Sequence, residues 1–278
     1  MHQTQQWVFA DAYFRDVSDG KDFIEINRQC WNRRTEIHVG SAFYDMAGFK
    51  AGQTSLKPFE LALMGDVSGK SILHLQCHFG QDTLSLARMG AEATGVDFSE
   101  SAIEVARETA AELGLSADFV LSNVLELDLG RTFDTVFASY GVLGWIPDVA
   151  DWMRIASRHL APGGELILVE FHPLIWLFDE KAPVDYFHSP EPDVETQQGS
   201  YTDGGEDVEI TSCYWDHTLS DVLAGARSAG LEVNLFEEYD HSPYPLDGMV
   251  ERAPGEHVLG DRRGQRLPHA YALRARKR

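Results

Sequence analysis

Between residues 70 and 170, short apolar runs alternate with helix-like segments, and this rhythm restricts the chain to a narrow group of folds. Residues 71–76 form an apolar run between Gly69 and His78, the pattern of a buried strand. Residues 81–89 carry Leu84, Leu86 and Ala87 at helical spacing, and Gly90 suits the left-handed end of that helix. Residues 93–96 make a second strand. Ser99 N-caps a helix whose apolar positions are Ala102, Ile103, Ala106, Ala110 and Leu113, closed by Gly114. Residues 117–121 and 133–138 are further strands. Residues 149–160 form a helix stopped before Pro162-Gly163-Gly164, and 165–171 are the fifth strand. Such alternation predicts an α/β fold with a parallel sheet and helices on both faces. Right-handed crossovers then leave a doubly wound sheet. Ligands of these sheets bind beyond the carboxyl ends of the strands, where the strand order reverses.

With 278 residues, there is room for one large α/β domain and a smaller cap. Residues 1–69 read as a helical N-terminal cap that carries Trp7, Phe9, Tyr13, Phe14, Phe23, Trp31, Phe43, Tyr44 and Phe49. Residues 70–278 read as the main domain. The rhythm breaks at about 174–214, a segment rich in Pro, Gly, Asp and Glu, in which Lys181 is the only basic residue between Asp179 and Glu209. Two readings stay open for this segment: a lid that excludes water, or a solvated loop. A helix at 218–229 and strands at 231–239 and 270–276 follow, giving a mostly parallel seven-stranded sheet.

The formal net charge of −21 argues against nucleic acid as a partner, since a phosphate backbone would be repelled over most of the surface. The basic run at 274–278 reads as a solvated end. Two origins fit the acidity: a halophilic source, or an ordinary acidic bacterial enzyme. A melting series in KCl separates them, because no gain at molar salt removes the first. No run approaches 18 apolar residues, the start of the sequence lacks a secretory pattern, and the expectation is a cytoplasmic protein. The three cysteines, Cys30, Cys77 and Cys213, are far apart and form no C-x-x-C pair, so neither a disulfide framework nor a metal site is expected. Nothing in the sequence fixes the oligomeric state.

The loop after the first strand reads Leu73-His74-Leu75-Gln76-Cys77-His78-Phe79-Gly80-Gln81-Asp82-Thr83. It enters a helix whose free N–H groups favour an anionic group, and Gly80 permits close backbone approach. Asp97 ends the second strand, where a carboxylate can accept hydrogen bonds from both hydroxyls of a ribose. Any nucleoside-containing cofactor could use this pair of features.

Residues 70–170 resemble the class I S-adenosylmethionine (SAM)-dependent methyltransferases. Gly80 and Thr83 hold the last positions of that family's first motif, and Thr94-Gly95-Val96-Asp97-Phe98-Ser99 matches its second. Ser122-Asn123-Val124-Leu125 matches the third, Phe133-Asp134-Thr135-Val136 the fourth-strand signature, and Leu160-Ala161-Pro162-Gly163-Gly164 the turn before the fifth strand. The resemblance implies that Asp97 holds the ribose, Phe98 packs on the adenine beside Ser99, Asn123 faces the adenine amino group with Val124 and Leu125 alongside, and Tyr140 lies near the methionine end. It departs from the family where His74 replaces an acidic residue and Gln76 and His78 replace glycines. Side chains there should demand ordinary φ values. This variant loop looks like that of a small-molecule subgroup. Gln76, Cys77 and His78 are expected to line the cofactor, and Trp31 and Tyr44 either close over its methionine end or simply pack the cap.

A nicotinamide-binding domain would require G-x-G-x-x-G after the first strand, and this loop has one glycine. The expected activity is in-line methyl transfer to a small molecule; the alternative is a SAM-binding sensor or regulatory subunit without transferase activity. Trp145, His172, Tyr214 and His217 are the candidate acceptor lining. His172 and Tyr140 are the candidate catalytic groups, His172 because it follows the fifth strand directly and can titrate near neutrality. For His172 the other reading is a histidine that hydrogen-bonds the inserted segment.

Overall fold

The computed structural model describes residues 20–178, 185–260 and 266–278, and for 20–22 the backbone alone. Trp7, Phe9, Tyr13 and Phe14 of the expected cap, and Lys181 of the insertion, lie outside the described residues.

The cap comprises α1 (Gly20–His38), α2 (Met46–Lys50) and α3 (Pro58–Met64). The alternating region gives β1 (Ser71–Leu75), α4 (Gln81–Arg88), β2 (Glu92–Asp97), α5 (Glu100–Leu113), β3 (Ala117–Leu121), β4 (Phe133–Ser139), α6 (Val149–Arg158) and β5 (Leu160–Phe171). Next come a hairpin of β6 (Asp193–Gln198) and β7 (Glu209–Tyr214), then α7 (Leu219–Ser228), β8 (Leu231–Tyr239), a second hairpin of β9 (Met249–Ala253) and β10 (Glu256–Leu259), and β11 (Ala270–Lys277). The main sheet runs β3-β2-β1-β4-β5-β11-β8. Strands β1 to β5 are parallel, and β11 is antiparallel to both β5 and β8. The order reverses between β1 and β4, which places a ligand crevice beyond the ends of those strands.

Local chemistry explains the boundaries. Ser99 accepts from the Ala102 N–H at 3.1 Å, and Gly114 closes α5 at φ 63°. Thr218 and Asp221 form a capping box on α7. Helix α6 ends at Arg158, before the expected residue 160, because Leu160 already pairs with Phe133. The Pro162-Gly163-Gly164 turn is thus an irregularity inside β5. A Cβ on Gly164 would lie 3.0 to 3.1 Å from three backbone oxygens, so any other residue would have to push the neighbouring backbone aside. The largest core cluster joins Trp152, Leu166, Leu168, Tyr271 and Leu273 between sheet and helices.

The 174–214 segment is not bare loop in its described part. It begins with a short 3-10 stretch (Pro173–Phe178), and its β6–β7 hairpin lies against α1. Asn27 bonds both backbone groups of Cys213, donating at 2.7 Å and accepting at 2.8 Å. Asn32 ties the other side of α1 to Ser99. The 274–278 run is not a solvated end: it lies largely in β11, and the Lys277 ammonium donates to the carbonyls of Ser157 and Leu160, each at 2.8 Å. No described helix is long and apolar enough to cross a membrane.

Candidate functional site

Between β1 and α4 the backbone takes the path expected of glycines without having them. Gln76 (φ 53°) and His78 (φ 51°) are both left-handed, against the expectation of ordinary values. For residues with a Cβ this costs about 1–2 kcal/mol each. At Gln76 the side chain supplies the compensation: its amide donates to the Val142 carbonyl at 2.8 Å and its oxygen accepts from the Trp152 indole at 2.9 Å. Gln76→Ala removes both bonds and keeps the strain, and is expected to cost about 2–3 kcal/mol. Gln76→Gly loses the bonds but relieves the strain, so it should recover about 1 kcal/mol of that loss in urea melts.

The same loop anchors Asp97. The His78 N–H donates to one carboxylate oxygen at 2.8 Å and the Ser99 N–H to the other at 2.9 Å. Burial pushes the Asp97 carboxyl up to about 6, against the pull of these N–H bonds. Its group lines a cavity of about 980 Å³ over the β1/β4 switch point. That volume is at the upper end for ligand sites, with room for a nucleoside cofactor and a second molecule.

Trp31, Tyr44, Gln76, Cys77, His78, Gly80, Asp97, Phe98, Asn123, Val124, Tyr140, Trp145, Tyr214 and His217 all line this one cavity. Four other expected residues do not. Thr83 is fully buried behind it and bonds the His74 ring at 2.8 Å. Ser99 is spent on capping α5 and meeting Asn32. Leu125 packs on the main core, its N–H donating to Asn123. His172 is the clearest correction. Its Nδ1 accepts from the Leu174 N–H at 3.1 Å and its Nε2 pairs with Glu238 at 3.0 Å, so both nitrogens are taken. Burial lowers its pKa, and it pins the start of the inserted segment instead of facing the acceptor. The other candidate catalytic group, Tyr140, does face the cavity, but its hydroxyl donates to Glu60 at 2.9 Å and burial holds it far above the usual phenol range. His217 also faces the cavity, with Nε2 2.7 Å from the Ile146 carbonyl oxygen.

Sequence reasoning missed several groups. Asp82, in the first turn of α4, lines the cavity and receives a bond from Ser139 at 3.2 Å. Glu60 is completely buried behind Tyr140 and accepts from the Lys57 N–H at 3.3 Å. Burial, reinforced by the Asp82 charge, pushes its carboxyl up to about 7. Glu170 accepts N–H bonds from Val142 (2.8 Å), Leu143 (3.2 Å), Phe171 (2.7 Å) and Gly141, which shapes the loop after β4. Tyr244, from the segment before β9, closes over Tyr140 and Phe171. The position of Asp82, two residues after Gly80, was the one available signal.

Since its folded carboxyl sits near 7 against an unfolded value of 4.5, Glu60 binds a proton in the folded state that the unfolded chain has released. Its contribution to stability is present below about pH 4.5 and is lost as the pH rises through about 7. Glu60→Gln should therefore raise the melting temperature more at pH 8 than at pH 5, measured by calorimetry on the two proteins.

A doubly wound sheet with a buried acidic residue ending β2, beside a tight loop opening a helix, defines a Rossmann-like nucleoside-cofactor domain. Residues 72–164 match the family described as "Methyltransferase domain". A ubiquinone biosynthesis O-methyltransferase of Paramagnetospirillum magneticum is 34% identical over 119 residues, 42% of this chain and 44% of that protein. The chain thus spans about half the length of the curated relatives it matches. A SAM-dependent methyltransferase of Mesorhizobium loti shares the fold at TM-score 0.55 and 21% identity, covering 82% of this chain and all (100%) of the other. One from Clostridium acetobutylicum does so at TM-score 0.56 and 13% identity, covering 86% and 94%.

Proposed function

We propose that this protein transfers the methyl group of SAM to a small-molecule acceptor. The observation that carries the reading is the Asp97 carboxylate, held by two backbone N–H groups at the wall of a cavity large enough for two ligands. The surrounding residues fit the cofactor. Asp97 would accept from the ribose hydroxyls, Phe98 and Val124 would flank the adenine, and Asn123 would meet its amino group. Asp82, with Glu60 and Tyr140 behind and beside it, gives the acidic end that a methionine ammonium requires.

SAM supplies an already activated methyl on a positively charged sulfonium. The protein's part is then to hold the acceptor in line, and orientation alone can supply about 7–11 kcal/mol. Trp145, Tyr214 and His217 form the acceptor wall, and the β6–β7 hairpin completes it with Tyr201 and Ser212. That wall keeps water from the transfer path. Because Tyr140 and His172 are already committed, transfer relies on alignment and not on either as a base. Two observations support a small molecule as acceptor: the acidic composition, and the similarity to an O-methyltransferase of ubiquinone biosynthesis.

Calorimetric titration of the wild type with SAM and with S-adenosylhomocysteine tests the reading. Both should bind, one per chain. Failure of either to bind would remove the assignment. Tight binding of both with no methyl consumed across a broad acceptor screen would favour a SAM-binding regulator instead.

A further inference from the structure

Helix α1 lines the cavity with Trp31 and Arg34, and His38, one turn beyond Arg34, packs against Trp31 and His78. Arg34 is only 6% exposed and lines the cavity. Its guanidinium carbon sits 5.3 Å from the Trp31 ring, 5.1 Å from Trp145 and 5.7 Å from Tyr201. Its Nε has no hydrogen-bond partner, and the same holds for Nδ1 of His38 and Nε2 of the adjoining His78. Among the described residues, no carboxylate lies within ion-pairing distance of Arg34. Carboxylates are not scarce: the chain has 44 acidic residues, and Arg28 on the same helix is paired with both Glu25 and Glu100. A buried cation left unpaired is costly, so a fold that keeps one inside its ligand cavity has a counter-ion to receive.

We propose that Arg34, within its aromatic walls of Trp31, Trp145 and Tyr201, is a subsite for a carboxylate on the methyl acceptor. The inference rests on the methyl-transfer reading and narrows it to acidic small molecules. The cavity has two electrostatic ends. Arg34 sits among His38, His78, Trp31, Trp145 and Tyr201, whereas Asp82 bonds Ser139 and its charge acts on Glu60, Tyr140 and Tyr244; Tyr44, bonded to Tyr201 and also reached by the Asp82 charge, lies between the two. The ammonium and carboxylate of the cofactor share one carbon. With the ammonium at the Asp82 end, the cofactor's own carboxylate stays at that end, and Arg34 is left for the second ligand. The planar fork of the guanidinium suits a carboxylate, and the indole faces suit an aromatic or otherwise apolar body behind it.

The test uses the full chain saturated with S-adenosylhomocysteine. Benzoate and phenylacetate are titrated by calorimetry against their neutral counterparts benzamide and phenylacetamide, in wild type, Arg34→Met and Arg34→Lys. At least one carboxylate should bind the wild type tenfold or more tightly than its amide. That preference should vanish in Arg34→Met and partly survive in Arg34→Lys, while S-adenosylhomocysteine affinity shifts less than threefold. The free Arg34→Met protein should melt at or above the wild-type temperature, since an unpaired buried charge has been removed. No carboxylate preference in the wild type overturns the proposal. So does a tenfold loss of S-adenosylhomocysteine affinity in Arg34→Met with 5′-methylthioadenosine unaffected, which would assign Arg34 to the cofactor's carboxylate. A wild type that binds no S-adenosylhomocysteine removes the methyltransferase reading, and this inference with it.

Discussion

Asp97→Ala is expected to weaken SAM binding about 100-fold or more, with the loss visible as a vanished calorimetric signal at micromolar protein. The carboxylate would make two charge-assisted bonds to the ribose, each worth about 1.5–3 kcal/mol. The substitution also frees the His78 N–H, now bonded to Asp97 at 2.8 Å, so the left-handed loop loses one of its anchors. Asp97→Asn keeps the shape and one accepting oxygen, and should fall between the two. If Asp97→Ala binds SAM as the wild type does, the ribose is held elsewhere and the placement of the cofactor in this cavity is wrong.

The second large effect concerns stability. Glu170 is buried, and its carboxylate collects the N–H groups of Val142, Leu143, Gly141 and Phe171. Burial raises its pKa and those N–H groups pull it back down. Glu170→Ala leaves several buried donors without an acceptor, at about 1–3 kcal/mol for each one that water cannot reach. A loss of about 3–5 kcal/mol is expected, or about 10 °C in melting temperature. Glu170→Gln retains one accepting oxygen and should lose about half as much. Because this loop carries Tyr140 (φ 41°) and leads to Trp145, the alanine variant should also lose ligand binding in what remains folded. A melting temperature unchanged by Glu170→Ala would mean that the loop shapes itself.

The central sheet was legible because β1, β2, β4 and β5 are apolar runs bounded by turn residues, and burial from both sides leaves such strands no polar face to disguise them. That Asp97 lines the cavity followed from its place at the end of β2, whereas Asn123 and Tyr140 were reached only through the family resemblance. The two hairpins were not, because β6 and β9 expose much of their length and carry polar residues that read as loop. Nothing in the sequence singles out Glu60, whose burial comes from packing in three dimensions with Tyr140 bonded to it. For His172 two readings stood open, and the structure favours the one that bonds it to the inserted segment: the Leu174 N–H and Glu238 claim both nitrogens, which its place after β5 alone does not reveal. Gln76 was misread: a local steric rule was overruled by two distant partners, Val142 and Trp152.

Strand β11 lies between β5 and β8, with Ala270 beside Phe171 and Lys277 beside Leu231. Neither neighbour can reach the other without it. During folding, β5 waits as a raw edge and β8 as an orphan until the chain has travelled past residue 270 and returned. Pairings so distant along the chain form slowly, and an open edge of this kind recruits other chains in the meantime. Fragments broken off before residue 270 should therefore clump rather than fold, even though they retain every residue of the Asp97 pocket's β1–β5 framework.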